Sequence, residues 1–484
     1  MPPTARDSLK VEVLVLLGLA LAATVWIAYH IQDLGFRIGQ PSIGLDYAMG
    51  VLWWTVLAVG LVWFGGEDRK LLLLGWVAKF FVVLVAMLFY EQRYGLDAYL
   101  YFNTSVTGEH WITPGYDWRE EWYLFTDPTL GEDTYRVGQG TENMIRIVML
   151  LSLIVGKYYH ALKVVFAFFG LLGCWAFYRA VVVILGRRVP SAFYWLVFFP
   201  SILFWSSILG KDPLILLTLG IVAYGAARML VRSEVAGFGI VGVGLFLAFN
   251  VRPWTAMMAG CCLVLAVLLQ RGHVLFRLTI VAVVLSTFLF AWGPIQKRFE
   301  LEDIKSFERL YVKLTEGQDV KSEWTAYTAE FGGSRRAVEA MQVAEQMRSG
   351  NYRGVLPLVI FTGLFRPLPF DARNSFSGFA AVENTALLAL VFLAIWRLRW
   401  TMIRDPVIVL VVSFCILWAA LHGGIVMANF GAGVRYKLQA LPFMVIGLFL
   451  LLHPTGYAQG RAHPLTIAQD DPGRRPGSLG AQTA

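Results

Sequence analysis

The chain has 484 residues, of which 57% are hydrophobic and only 15% charged, and its mean hydropathy is +0.60. Too little polar surface is available to solvate a globular protein of that size, which excludes a soluble enzyme or binding module and leaves an integral membrane protein. A formal net charge of +8 would point a soluble chain towards nucleic acid. Here the basic residues fall in short segments between apolar runs, so they read as orientation signals and nucleic acid is excluded as a partner.

Backbone polar groups must be satisfied internally in lipid, so the apolar runs are expected to be helices and the fold class all-α, a polytopic transmembrane bundle. About twelve spans are expected, within a range of 10–13. They fall near 11–30, 47–64, 71–90, 159–185, 190–208, 212–231, 235–250, 253–270, 274–293, 377–397, 405–423 and 437–453. The run at 144–155 is shorter and is expected to be partly inserted or to lie on the surface. In the first span, Trp26, Tyr29 and His30 stand where a cleavage site would need small residues, so it reads as retained rather than as a signal peptide.

Five regions follow. Residues 1–70 form an N-terminal pair of helices, and residues 71–293 a transmembrane module that includes an acidic loop at 91–143. Residues 294–376 form a second large loop, residues 377–453 the C-terminal helices, and residues 454–484 a Pro- and Gly-rich tail expected to be disordered. In the second loop, Leu301, Ile304, Phe307, Leu310, Tyr311 and Leu314 recur at helical spacing, and another helix is expected from Ser334. Arg69, Lys70, Arg187, Arg188, Arg228, Arg232, Arg271, Arg277, Arg397, Arg399 and Arg404 all fall on one side when the N-terminus is cytoplasmic. The acidic loop then lies on the other side.

The acidic loop is the first chemical signal. Between Tyr90 and Asn143 there are ten carboxylates and three arginines, among many Trp and Tyr residues. Asp97 and Glu91 follow directly on an apolar span, which puts a carboxylate at the membrane surface within reach of a lipid-borne substrate. A carboxylate so placed is a candidate general base. The aromatic side chains, including Tyr99 and Tyr101, suit interface anchoring and also stacking on sugar rings.

The second signal is basic charge on the side where it is usually scarce. Lys211, Arg252, Arg366, Arg373, Arg435 and Lys437 stand at the outer ends of spans, several of them in apolar or Pro-containing settings such as Val251-Arg252-Pro253-Trp254 and Phe365-Arg366-Pro367. A cation at that depth is costly unless paired or met by an anion, and a phosphate is the natural partner of a guanidinium fork. The four cysteines lie inside apolar runs and show no disulfide or metal spacing, and the histidines show no zinc-type pairing.

Asp97 with the Ala98-Tyr99-Leu100-Tyr101 that follows it, Pro200-Ser201 with Trp205 and Lys211-Asp212-Pro213, and the late Arg435-Tyr436-Lys437-Leu438 with Pro442 together resemble the polytopic GT-C glycosyltransferases and related bacterial surface-polysaccharide membrane proteins. The resemblance covers roughly residues 71–452. It implies a transferase that takes a sugar from a polyprenyl-phosphate carrier at the periplasmic face of the bacterial inner membrane and passes it to a glycan or lipid acceptor. Asp97 would activate the acceptor hydroxyl, with Glu91 or Asp117 next in line, and the basic residues would neutralise the leaving phosphate. A divalent cation is the one cofactor it leaves open, and the loop departs from the usual pattern in having no second acidic residue paired beside Asp97. Two other readings stand beside it. One is an O-antigen or exopolysaccharide polymerase or ligase, in which Arg335 with Arg336, or Arg366 with Arg373, would matter more than Asp97. The other is a transporter or assembly partner without catalysis, against which the placing of charges at span ends counts.

Overall fold

A computed structural model describes residues 25–93, 97–107, 139–269, 352–372, 375–398, 400–428 and 430–453, with a few isolated positions elsewhere. The described residues are helical, with no strand among them. Helix α1 (25–37) is followed by α2 (Ile43–Phe64), α3 (Gly66–Gln92), α4 (Asp97–Thr107), α5 (Gln139–Val155), α6 (Tyr159–Leu185), α7 (Pro190–Val197), α8 (Pro200–Trp205), α9 (Lys211–Arg232), α10 (Ala236–Val251) and α11 (Pro253–Leu268). After an interval come α12 (Tyr352–Phe365), α13 (Ser375–Trp396), α14 (Pro406–Ala428), α15 (Phe430–Tyr436) and α16 (Leu441–Leu452).

Six of these helices are long and apolar enough to cross a membrane, or up to seven if the pair bent by 61° around Ala440 is one span. The expected count of about twelve is therefore not reached among the described residues, for three reasons. The first expected span falls largely outside them and the one at 274–293 almost wholly so. The expected span at 190–208 is broken into α7 and α8 at Phe199, whose extended backbone is what a following proline favours. The expected spans at 235–250 and 253–270 are helices of 16 residues each, about 24 Å long and so shorter than the hydrocarbon core. They part at Arg252, again extended ahead of a proline. The helices expected at 301–314 and from Ser334, and the tail beyond 453, lie outside the described residues. The apolar helix α12 occupies the end of what reads as the second loop, and it packs along α14.

The core is built around α6, which packs against α2 and α9. Glycines set the separations: a Cβ on Gly173 would fall 2.7 Å from the Leu216 backbone, and one on Gly423 would fall 2.1 Å from the Val359 carbonyl. In contrast, α2 leaves Leu52, Val56, Val59 and Trp63 exposed, and α13 leaves Phe379, Val382, Phe392 and Trp396 exposed. Apolar surface on this scale is what a hydrocarbon solvent accepts and water does not.

Charged groups hold the bundle together at three buried points. The carboxylate of Asp46 accepts from the backbone N–H groups of Tyr159 and His160 and lies 2.6 Å from His160 Nδ1, so α2 caps the start of α6 from outside it. Glu91 lies 2.8 Å from Lys163 Nζ and accepts the Tyr159 hydroxyl at 2.8 Å, with both charged side chains fully buried. Midway along α3, the amine of Lys79 donates to the Ser206 carbonyl, the Ser206 hydroxyl and the Ser207 hydroxyl at 2.9, 2.6 and 3.0 Å. Three donors thus meet three acceptors, and the strand of chain leading into α9 is fixed against α3. Lys79 and Lys163 amend the expectation that charge is confined to span ends.

Candidate functional site

Helices α2, α6 and α9 run in one direction and α3 returns alongside α2 and α6, which brings the starts of α6 and α9 to the same end of the bundle as Glu91. Four distant segments converge there. Asp97 is the first residue of α4, Lys211 and Asp212 open α9, Arg252 stands at the α10–α11 junction, and Arg435 lies in the last turn of α15.

Asp212 is the centre of this cluster. Its side chain is 1% exposed, with Oδ1 accepting from Arg252 Nη2 at 2.8 Å and Oδ2 from Arg435 Nε at 2.6 Å. Arg435 Nη2 in turn lies 3.1 Å from Asp97 Oδ2, and the Asp97 side chain is 46% exposed. The result is an alternating row, Arg252–Asp212–Arg435–Asp97, running from the interior to an accessible carboxylate. The guanidinium of Arg252 lies over the Tyr436 ring, 5.0 Å from its centroid, and its Nη1 is buried with no hydrogen-bond partner among the described residues. Lys211 directs its amine to the Thr141 hydroxyl at 2.7 Å and sits over the Tyr101 ring at 5.9 Å.

The surroundings fix these positions. Asn143 on α5 donates to the Asn250 carbonyl at 2.8 Å, two residues ahead of Arg252. Gly140 lets α5 come down on that junction, since a Cβ there would fall 2.4 Å from the Val251 carbonyl and 3.8 Å from Lys211 Nζ. Thr255 donates to Gln439 at 2.7 Å, tying the start of α11 to the bend that carries Arg435. Burial, and then the Asp97 carboxylate, push the Tyr101 hydroxyl well above its ordinary range against the opposing pull of Arg435, so it stays a neutral phenol.

Of the residues that the sequence singles out, Asp97, Lys211, Arg252 and Arg435 are brought together, and Tyr101 lines the same cluster. Others stand elsewhere. Glu91 is 1% exposed and committed to Lys163 and Tyr159, an arrangement that holds helices together and offers no open carboxylate to a substrate. Tyr99 is two residues from Tyr101 and so points to a different face of α4, where its hydroxyl donates to the Glu91 carbonyl. Arg366 holds Asp371 side-on at two points, Nε to Oδ2 at 3.0 Å and Nη2 to Oδ1 at 2.7 Å, and lies over Phe430. Lys437 is 1% exposed, with its amine on Asn384 Oδ1 at 2.8 Å and the Arg366 carbonyl at 3.3 Å. It joins the 366 turn to α13. Asp117, Arg335, Arg336 and Arg373 lie outside the described residues.

The residue that sequence reasoning missed is Asp212. Adjacent to Lys211 in the chain, it serves two arginines from other parts of it. Glu383 is a second omission: its carboxylate accepts from the Ser201 backbone N–H at 2.8 Å, which anchors the Pro200-Ser201 corner to α13. Among the described residues no group of three His, Cys, Asp or Glu side chains could hold a metal ion. Comparison of the chain with protein-family models, with curated proteins and with solved structures finds no match.

Proposed function

We propose that this membrane protein is a glycosyltransferase that uses a polyprenyl-phosphate-linked sugar, acting at the periplasmic face of a bacterial inner membrane with both termini in the cytoplasm. The observation that carries the reading is the convergence of Lys211, Arg252 and Arg435 beside the half-exposed Asp97. In this reading the cations receive the phosphate and stabilise the charge that grows on it as the glycosidic bond breaks. Asp97 accepts the proton of the attacking hydroxyl. Three cations against the two carboxylates Asp97 and Asp212 leave one positive charge in the cluster, which matches the single negative charge of a sugar phosphodiester better than that of a diphosphate.

The polymerase or ligase alternative rests on Arg335 with Arg336 or on Arg366 with Arg373; Arg335, Arg336 and Arg373 lie outside the described residues, and the two-point pairing of Arg366 with Asp371 counts against that guanidinium's being open to a substrate. The test is sugar transfer by the purified, reconstituted chain from a panel of polyprenyl-monophosphate sugars. Asp97→Asn is expected to abolish transfer with an intact fold, while Arg366→Ala, if it folds, retains it. Full transfer in Asp97→Asn with loss in Arg366→Ala would favour the alternative.

A further inference from the structure

Arg435 holds two carboxylates in unequal ways. Its Nε donates to Asp212, which is 1% exposed, at 2.6 Å, whereas its Nη2 meets Asp97, whose side chain is 46% exposed, at 3.1 Å. A guanidinium carries five donors in a rigid fork, so one edge can keep its partner while the other changes. A buried ion pair resists opening because water cannot replace the lost partner, whereas a solvent-facing one is weak and readily exchanged. The Asp97 side is therefore the replaceable grip. At the other end of the row, Arg252 Nη1 is buried and has no hydrogen-bond partner among the described residues, although Nη2 of the same group is held by Asp212. A donor for an incoming anion is already in place.

We propose that Arg435 is a shared guanidinium that passes from Asp97 to the anionic group of the substrate, with Asp212 keeping Nε fixed during the exchange. The inference rests on the reading above, that a phosphate-bearing molecule occupies the cluster. Entry of the phosphate takes Nη2 and releases the Asp97 carboxylate from its ion pair, and no covalent bond changes in this step. The consequence is an order of events. The phosphate-bearing substrate enters first, and Arg435 gives up its contact with Asp97 before Asp97 accepts a proton from a hydroxyl. Asp212 acts here as a positioning residue, through Arg435 and Arg252.

The test uses farnesyl phosphate as the probe and the full chain in detergent micelles, with binding followed by calorimetry against farnesol, which shares the tail but lacks the charge. Asp97→Asn and Asp97→Ala remove the competitor for Nη2, and both are expected to bind the probe about three- to tenfold more tightly than the wild type. Arg435→Lys, which cannot hold two anions through a fork, is expected to bind it at least tenfold more weakly. A gain of affinity is something that loss of a merely structural residue would not produce. Equal or weaker binding in both Asp97 variants, with the wild type binding, overturns the exchange and leaves the reading of the site intact. No binding of farnesyl phosphate beyond that of farnesol by any of the proteins overturns both.

Discussion

Lys211 and Asp212 are neighbours in the chain, yet Asp212 is joined at 2.6 Å to Arg435, 223 residues further on, while Lys211 turns to Thr141 on α5. Consecutive residues on a helix point about 100° apart, so the pair is split between two faces of α9. That split lets one residue organise the arginines from behind while the other stays on the side that faces Tyr101.

Removing the organising carboxylate leaves two guanidiniums buried together. Asp212→Ala is expected to destabilise the protein by about 3–5 kcal/mol, the usual cost of stripping one partner from a buried ion pair. Thermal unfolding in detergent measures this, and a variant as stable as the wild type would contradict the central place given to Asp212.

Glu91 and Asp97 are predicted to part company on mutation. Glu91→Ala leaves the buried Lys163 amine without its carboxylate, so it is expected to lower stability by about 3 kcal/mol, and pairing it with Lys163→Met restores much of the loss. Asp97→Asn changes a half-exposed side chain and is expected to leave the unfolding temperature within about a degree of wild type, because surface ion pairs contribute little. Unfolding curves of the three variants decide whether the two carboxylates have these separate roles.

Close backbone approach makes another prediction. A Cβ on Gly170 would fall 2.3 Å from the Ser206 carbonyl, the same carbonyl that accepts from Lys79. Gly170→Ala therefore forces the segment leading into α9 away from α6. Loss of stability of about 1–3 kcal/mol is expected, together with weakened binding at Lys211 and Arg252. Gly239→Ala, where a Cβ meets nothing within 4 Å, is the matched control and should leave both unchanged.

Much of the fold was legible in the chain, and the reasons for the exceptions are physical. The long apolar run ending at Gly186-Arg187-Arg188 announces α6, and the structure closes it at Leu185 with Gly186 in the left-handed conformation. The run from Lys211 to Arg232 is equally plain because basic residues bound it at both ends. By contrast, Phe199-Pro200 sits inside an apolar stretch long enough to span, and only the effect of proline on its predecessor marks the break. At the site, the sequence offers Asp97 and the cations as unusual residues in unusual places, but not their partners. Whether Glu91 faces solvent or Lys163 is settled by packing between helices 72 residues apart, and whether Arg366 faces a substrate or Asp371, only five residues on, is settled by how the chain turns at 366–371. Lys79 and Lys163 did carry a readable signal, since an ionisable group within a span calls for a named partner.

The most direct test of the account is the affinity of farnesyl phosphate, over that of farnesol, for the wild type and for Lys211→Met. This substitution removes a charge that faces Tyr101 and Thr141 without stripping Asp212 of either arginine. The account predicts an unchanged unfolding temperature and binding at least about tenfold weaker, the effect of losing one charge-assisted contact to a phosphate. Undiminished binding in Lys211→Met, or no preference for farnesyl phosphate over farnesol in the wild type, would contradict the claim that this cluster receives an anionic lipid headgroup.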